Sequence, residues 1–170
     1  NFLGLHESQS RFYENILGRN KNFWKPIYAK VGEILPQFQK ISLDDFYREI
    51  NHVVPGLIRI DSDEVSYSLH IILRYEMEKA IFRDGVDAKD LSQLWNDKME
   101  ELLGIRPEND AEGILQDTHW SDGSFGYFPT YALGNIMDGM LLETLQEELG
   151  DVDTILAEGS MKEIPAWLHE

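Results

Sequence analysis

Cysteine is absent from this 170-residue sequence. That excludes a disulfide framework, a thiol nucleophile and a thiolate metal site, so any metal ion must be held by His, Asp or Glu. Long apolar runs are absent too, and none approaches the roughly 18 residues that a bilayer crossing needs. The opening residues, NFLGLHESQS, show no basic stretch followed by an apolar one, so no secretion signal is read there and no membrane partner is expected. Basic residues are scarce: 15 Lys and Arg stand against 31 Asp and Glu, for a formal net charge of −16. Such an acidic surface repels phosphate backbones and argues against a nucleic-acid partner. The acids are distributed through helical segments, as solvated faces are, and form no solid tail. Internal repeats, low-complexity tracts and linker composition are all missing. Also missing is the zinc helix, in which two His stand four apart with a Glu beside the first; His6, His52, His70, His119 and His169 have no such mates.

What remains is a chain with helical periodicity over most of its length. Leu5, Phe12, Tyr13, Ile16 and Leu17 return on one side of a helix over 5–18, which Gly18 can stop. A second helix is predicted over 21–39, with Pro26 in its first turns and Pro36 near its end. Ser42 reads as an N-cap with Asp44 and Asp45 in the first turn of a short helix to about His52. Val53-Val54-Pro55-Gly56 breaks that helix, and Leu57–Ile60 reads as a short extended piece. The strongest helix covers Asp63–Arg83. Its apolar stripe is Val65, Leu69, Ile72, Leu73, Met77, Ala80 and Ile81, and Arg74 and Glu78 stand four apart. Further helices are predicted from Asp87 to Leu103, closed by Gly104, from Thr130 to Leu149, after Asp151, and at Pro165. Residues 104–129 are irregular. The expected fold class is all-α with at most one short strand, in a single segment over 1–170.

Three places carry candidate chemistry. His6-Glu7 stands just inside the first helix. Adjacent helical residues point about 100° apart, so one of the two could ligate a metal and not both; the plainer alternative is a surface Glu7 paired with Arg11. The stretch GILQDTHWSDGSFGYFPTY, residues 113–131, gathers an amide, an acid, an imidazole, an indole and several rings between glycines. Loops that hold such rings bury them, against a cleft or in a packed corner. Arg59, between Ile58 and Ile60, is either a snorkelling surface residue or a buried fork for a carboxylate.

Together these segments resemble, in order, signature blocks of the carboxypeptidase Taq family of metallocarboxypeptidases. The HES/GQ block appears as His6-Glu7-Ser8-Gln9. The IRxxAD block appears as Ile58-Arg59-Ile60-Asp61-Ser62-Asp63, with Ser62 in the place of the usual Ala. The GxxQDxHW block appears as Gly113, Gln116, Asp117, His119 and Trp120 without a mismatch. The resemblance extends through the helices between them and covers nearly the whole chain.

The resemblance implies a largely helical fold around a deep groove, in a cytoplasmic homodimer that releases C-terminal amino acids from peptides one at a time. It implies one zinc or cobalt ion per full-length subunit, held by two His of an HExxH helix and by the Glu of the HES/GQ block, which makes Glu7 the third ligand. The HExxH, HPF and DxRxT blocks are not found in this sequence. The expectation is therefore the C-terminal part of the catalytic domain, truncated at both ends, without peptidase activity by itself and with at most weak metal binding. Apolar residues at its edges, namely Leu3, Leu5, Phe12, Trp167 and Leu168, are expected to be exposed or covered by self-association. An exopeptidase needs donors for the terminal carboxylate and for the tetrahedral oxyanion. His119 and Tyr131 are the catalytic candidates. Arg59, Gln116, Asp117, Tyr127 and His6 are the candidates for substrate binding, and Glu7 for the metal. The alternative is a non-catalytic helical binding or scaffold module that retains the fold.

Overall fold

The computed structural model describes residues 2–169, without the side chain of Phe2. All regular elements among the described residues are helical. They are α1 (Phe2–Arg11), α2 (Lys21–Trp24), α3 (Tyr28–Ile34), α4 (Leu43–Ile50), α5 (Glu64–Phe82), α6 (Leu91–Leu103), α7 (Pro129–Leu149), α8 (Val152–Ala157) and α9 (Glu163–Leu168). A π-helical stretch, Phe12–Leu17, continues α1, and short 3-10 turns cover Pro36–Lys40, Arg59–Asp61 and Ala88–Asp90.

The chain forms two compact units. One comprises Asn1–His52 and Leu133–Glu170, the other Val53–Ala132. The core of the first is Phe12, Leu17, Leu145, Val152, Ile155, Leu156 and Ile164. Its helix ends are closed by side chains: Ser42 Oγ accepts from Asp45 N at 3.0 Å, and Asp151 Oδ2 from Thr154 N at 3.0 Å. In the same unit α1 and α7 approach closely. A Cβ added at Gly134 would stand 3.2 Å from Ser8 N and 3.4 Å from Glu7 C, and one at Gly4 would stand 3.3 Å from Leu133 Cβ. The missing side chain at Gly134 is what lets α7 lie against the backbone of Glu7-Ser8.

The second unit packs α5 on α6 through Leu73, Met77, Trp95, Met99 and Leu103, with a smaller cluster of Tyr67, Ile71 and Phe128 beside it. Asp63 caps α5 by accepting from Val65 N and Ser66 N, each at 2.8 Å. Gly104 ends α6 in the left-handed conformation, φ 71°, which only glycine adopts without strain.

The structure corrects several sequence expectations. The helix over 21–39 is two helices and a 3-10 turn. Pro26 lies beyond the first turn, where a missing N–H and a ring clash end α2, and Pro36 opens the turn after α3. Leu57–Ile60 forms no strand, although Ile58 has extended angles (φ −97°, ψ 120°). Without a neighbouring strand its backbone would lack partners, and it closes into a turn with Asp61 N on Ile58 O and Ser62 N on Arg59 O. Phe12 is fully buried, and Trp167 and Leu168 pack against the same core, whereas Leu3 and Leu5 are half exposed. Along α5, Val65 and Ile72 face outward, and the buried face carries Tyr67, His70, Arg74 and Glu78 among the apolar residues. That inversion places charged chemistry inside the second unit.

Candidate functional site

The second unit is organised around one carboxylate. Asp117 is held by two guanidiniums, one from the Arg59 turn and one from the middle of α5. Arg59 Nη2 donates to Asp117 Oδ1 at 2.6 Å and Nε to Oδ2 at 3.1 Å. Arg74 donates from Nε to Oδ2 at 2.7 Å, and its Nη2 lies 2.5 Å from the same oxygen. Both arginines are buried. Burial works against the Asp117 charge, but the two cations outweigh it and hold its pKa below the ordinary carboxylate range. Their own shifts diverge. Burial pulls the wholly enclosed Arg74 down to about 10, with the nearby Arg59 charge adding to the effect. At the shallower Arg59, burial is outweighed by the Asp117 bond, and the pKa rises. Both remain charged at neutral pH, so two cations and one anion leave one net positive charge in the cluster.

Gln116 completes the scaffold. Its Oε1 accepts from Arg59 N and Arg74 Nη2, each at 2.9 Å, and its Nε2 donates to Leu57 O and Glu112 O, each at 2.9 Å. All four hydrogen-bonding positions of that amide are taken by protein. Around the guanidiniums stand rings: Tyr131 at 5.1 Å and Phe128 at 5.6 Å from Arg59 Cζ, Trp95 at 4.9 Å and Phe128 at 5.2 Å from Arg74 Cζ. Tyr67 Oη accepts from Arg59 Nη1 at 3.0 Å.

His119 follows two residues after Asp117. Its Nε2 lies 3.2 Å from Tyr131 Oη, and its Nδ1 lies 3.7 Å from Asp117 Oδ1, beyond hydrogen-bond range. Burial lowers the His119 pKa; the Arg59 and Arg74 charges add to this, against Asp117 and Asp122, so the imidazole is neutral at pH 7. His119, Tyr127 and Tyr131 line a cavity of about 270 Å³ together with Thr118, Asp122 and Ser124. Glu78 on α5 holds the loop that forms this wall: Oε1 accepts from Trp120 Nε1 at 2.9 Å and Oε2 from Gly126 N at 3.0 Å. His70 lies deeper, with Nε2 3.0 Å from Gly56 O; burial, then Arg74, push its pKa down to about 4.

Six of the sequence-selected residues thus meet in one place: Arg59, Gln116, Asp117, His119, Tyr127 and Tyr131. His6 and Glu7 lie on α1, in the first unit. His6 is exposed and lines a cavity of about 410 Å³ with Leu5, Gln9 and Ser10. Glu7 Oε1 accepts from Ser10 Oγ at 3.2 Å, and Arg11 pairs with Glu14 at 3.1 Å and donates to Asn135 Oδ1 at 3.0 Å. Among the described residues no three His, Asp or Glu gather closely enough to hold a metal ion, so the described residues do not by themselves form a complete metal site. Sequence reasoning missed Tyr67, His70, Arg74 and Glu78 as parts of the site. The signal was present as polar residues at 70, 74 and 78, one face of a helix otherwise rich in Leu, Ile and Met.

The profile of the family described as carboxypeptidase Taq (M32) metallopeptidase matches residues 1–170. Carboxypeptidase 1 of Bacillus subtilis is 54% identical over 169 residues, 99% of this chain and 34% of that protein. The structure of a Pyrococcus furiosus carboxypeptidase superposes with a TM-score of 0.92 at 45% identity, over 98% of this chain and 33% of that one. Metallocarboxypeptidase 1 of Trypanosoma cruzi gives a TM-score of 0.87 at 41% identity, over 96% of this chain and 33% of that one. The chain spans about a third of the length of the curated relatives it matches.

Proposed function

Because the chain belongs to the carboxypeptidase Taq (M32) family of metallopeptidases, we propose that it is part of a metal-dependent carboxypeptidase and supplies the side that handles the substrate. The observation that carries this reading is the neutral His119, hydrogen-bonded to Tyr131 over a cavity of about 270 Å³ and backed by a buried, positively charged Arg59–Asp117–Arg74 cluster. The excess positive charge favours a peptide's terminal carboxylate and a developing oxyanion. Donors at the cavity wall, from His119, Tyr127 and Tyr131, give the reacting carbonyl its hydrogen bonds. A His119 that is neutral at pH 7 can also take up a proton released in the reaction and then pass it to the leaving amine. Arg59, Gln116 and Asp117 hold one another, and through that network they fix the wall on which the substrate lies. Glu7 is the proposed metal ligand of this chain and His6 a substrate contact on α1.

A single carboxylate does not bind a divalent ion tightly. The proposed zinc or cobalt ion therefore needs ligands from outside these residues, and the isolated chain is proposed to lack hydrolytic activity. A cytoplasmic homodimer is the proposed context: the family resemblance supports both parts, and the lack of cysteine is compatible with the cytoplasmic location.

The test is a pair of variants in the full-length protein. His119→Ala is expected to lower kcat by about 100-fold or more while thermal stability stays within a few degrees. Glu7→Gln is expected to lower bound metal measured by mass spectrometry of the digested protein. Equal loss of turnover and folding in His119→Ala would make the imidazole structural, and the reading would fall.

A further inference from the structure

We propose that Arg74 is a positioning residue for His119, acting through the Gln116-Asp117 dipeptide that it pins from within α5. The proposal rests on the reading of His119 as the imidazole that meets the substrate, and it adds a residue that lies in none of the three signature blocks.

Every side of the Arg74 guanidinium is occupied. Nη1 donates back to His70 O on its own helix at 2.9 Å, Nε reaches Asp117 Oδ2 at 2.7 Å, and Nη2 reaches Gln116 Oε1 at 2.9 Å. Trp95 and Phe128 cover its plane. A buried guanidinium is an expensive way to fill volume, because an apolar side chain of similar size packs there without losing hydration. What an apolar side chain cannot do is grip two acceptors on successive residues with a rigid fork. The two residues gripped stand three and two positions before His119. The second oxygen of Asp117, fixed by Arg59, is the polar atom facing His119 Nδ1 at 3.7 Å.

The charge of Arg74 matters as well as its shape. The groups facing His119 are Asp117, Asp122, Arg59, Arg74, Tyr127, Phe128 and Tyr131. With Asp117 shared between two cations, His119 is not offered a full counter-ion. It keeps a neutral ring in one orientation, which a hydrogen-bonding or proton-transferring imidazole requires.

Two variants of the full-length protein separate shape from charge. Arg74→Lys keeps the cation and loses the fork; Arg74→Met loses both, yet leaves Arg59 to neutralise Asp117. The readouts are kcat/KM for a blocked dipeptide and the pH dependence of His119 acylation by diethyl pyrocarbonate, followed by peptide mass spectrometry. Arg74→Lys is expected to lose about 10- to 100-fold in kcat/KM, with the acylation inflection where the wild type has it. Arg74→Met is expected to lose as much, with the inflection moved to higher pH. A folded Arg74→Lys with wild-type kcat/KM overturns the proposal. So does loss of activity only in proportion to loss of folded protein, including failure of both variants to fold, since Arg74 would then be structural. The acylation profile involves no catalytic assumption: an unmoved inflection in Arg74→Met overturns the proposal. A moved inflection together with normal turnover in His119→Ala overturns only the catalytic reading of His119.

Discussion

Replacing Asp117 with Asn keeps the shape of the side chain and removes the one anion between two buried cations. In the native protein the Asp117 carboxylate lies 2.6 Å from Arg59 Nη2 and 2.5 Å from Arg74 Nη2, with 5% of Arg59 and none of Arg74 exposed to water. Removing one partner of a buried ion pair costs about 3–5 kcal/mol, because the other charge stays dehydrated. Asp117→Asn strands two such charges, so the upper part of that range is expected, against a total stability on the order of 5–15 kcal/mol. The residual hydrogen bonds from Arg59 and Arg74 to the Asn oxygen do not restore the charge term. Urea unfolding at pH 7, followed by circular dichroism, measures the loss. Adding Arg74→Met to Asp117→Asn removes one of the two stranded cations and is expected to recover at least about 1 kcal/mol, within the usual range for directly coupled residues. A single variant within about 1 kcal/mol of the wild type, or a double variant whose losses simply add, would refute the view that this carboxylate holds the cluster together.

Two other consequences concern His70 and the α1–α7 approach. His70 has its folded-state pKa pushed from 6.5 down to about 4, so it stays neutral in the folded protein while the unfolded chain takes up a proton below about 6.5. Its contribution to stability is complete above that pH and fades as the pH falls toward 4, by about 3 kcal/mol in all. Urea titrations between these limits should therefore show a steeper loss in the wild type than in His70→Gln, and parallel curves would contradict the assignment. At Gly134 an alanine would bring Cβ to 3.2 Å from Ser8 N, on the backbone of a neighbouring helix. Overpacking of about 1–3 kcal/mol exceeds the gain in helix propensity of roughly 0.5–1 kcal/mol. Gly134→Ala should then melt at a lower temperature than the wild type; a higher one would mean that the helices separate easily.

The helices were legible where short-range chemistry sets them. Ser42, Asp63 and Asp151 each cap a helix through a side chain–backbone bond that depends on the next few residues only. Gly104 ends α6 because the left-handed turn belongs to glycine. The candidate site was legible in part, since Gln116, Asp117 and His119 stand in one short block. What periodicity could not give is the inward face of α5. Val65 and Ile72 looked like core and face outward, whereas Arg74 and Glu78, which the pattern marked only as standing four apart, are buried. Their partners, Asp117 and Gln116 for one, Trp120 and Gly126 for the other, lie about 40 residues away in the chain. No local pattern encodes that pairing; it becomes visible only when a buried charge is asked where its counterpart is. Pro26 carried a different lesson: two residues past the first helical turn, it separates α2 from α3.

The most direct test of the central claim is the release of free amino acid from a blocked dipeptide by the purified full-length protein, before and after chelator treatment. The account predicts release of the C-terminal residue, loss of that release with chelator, and its return on adding a divalent ion. No release under any metal, or release that chelator leaves untouched, would contradict it.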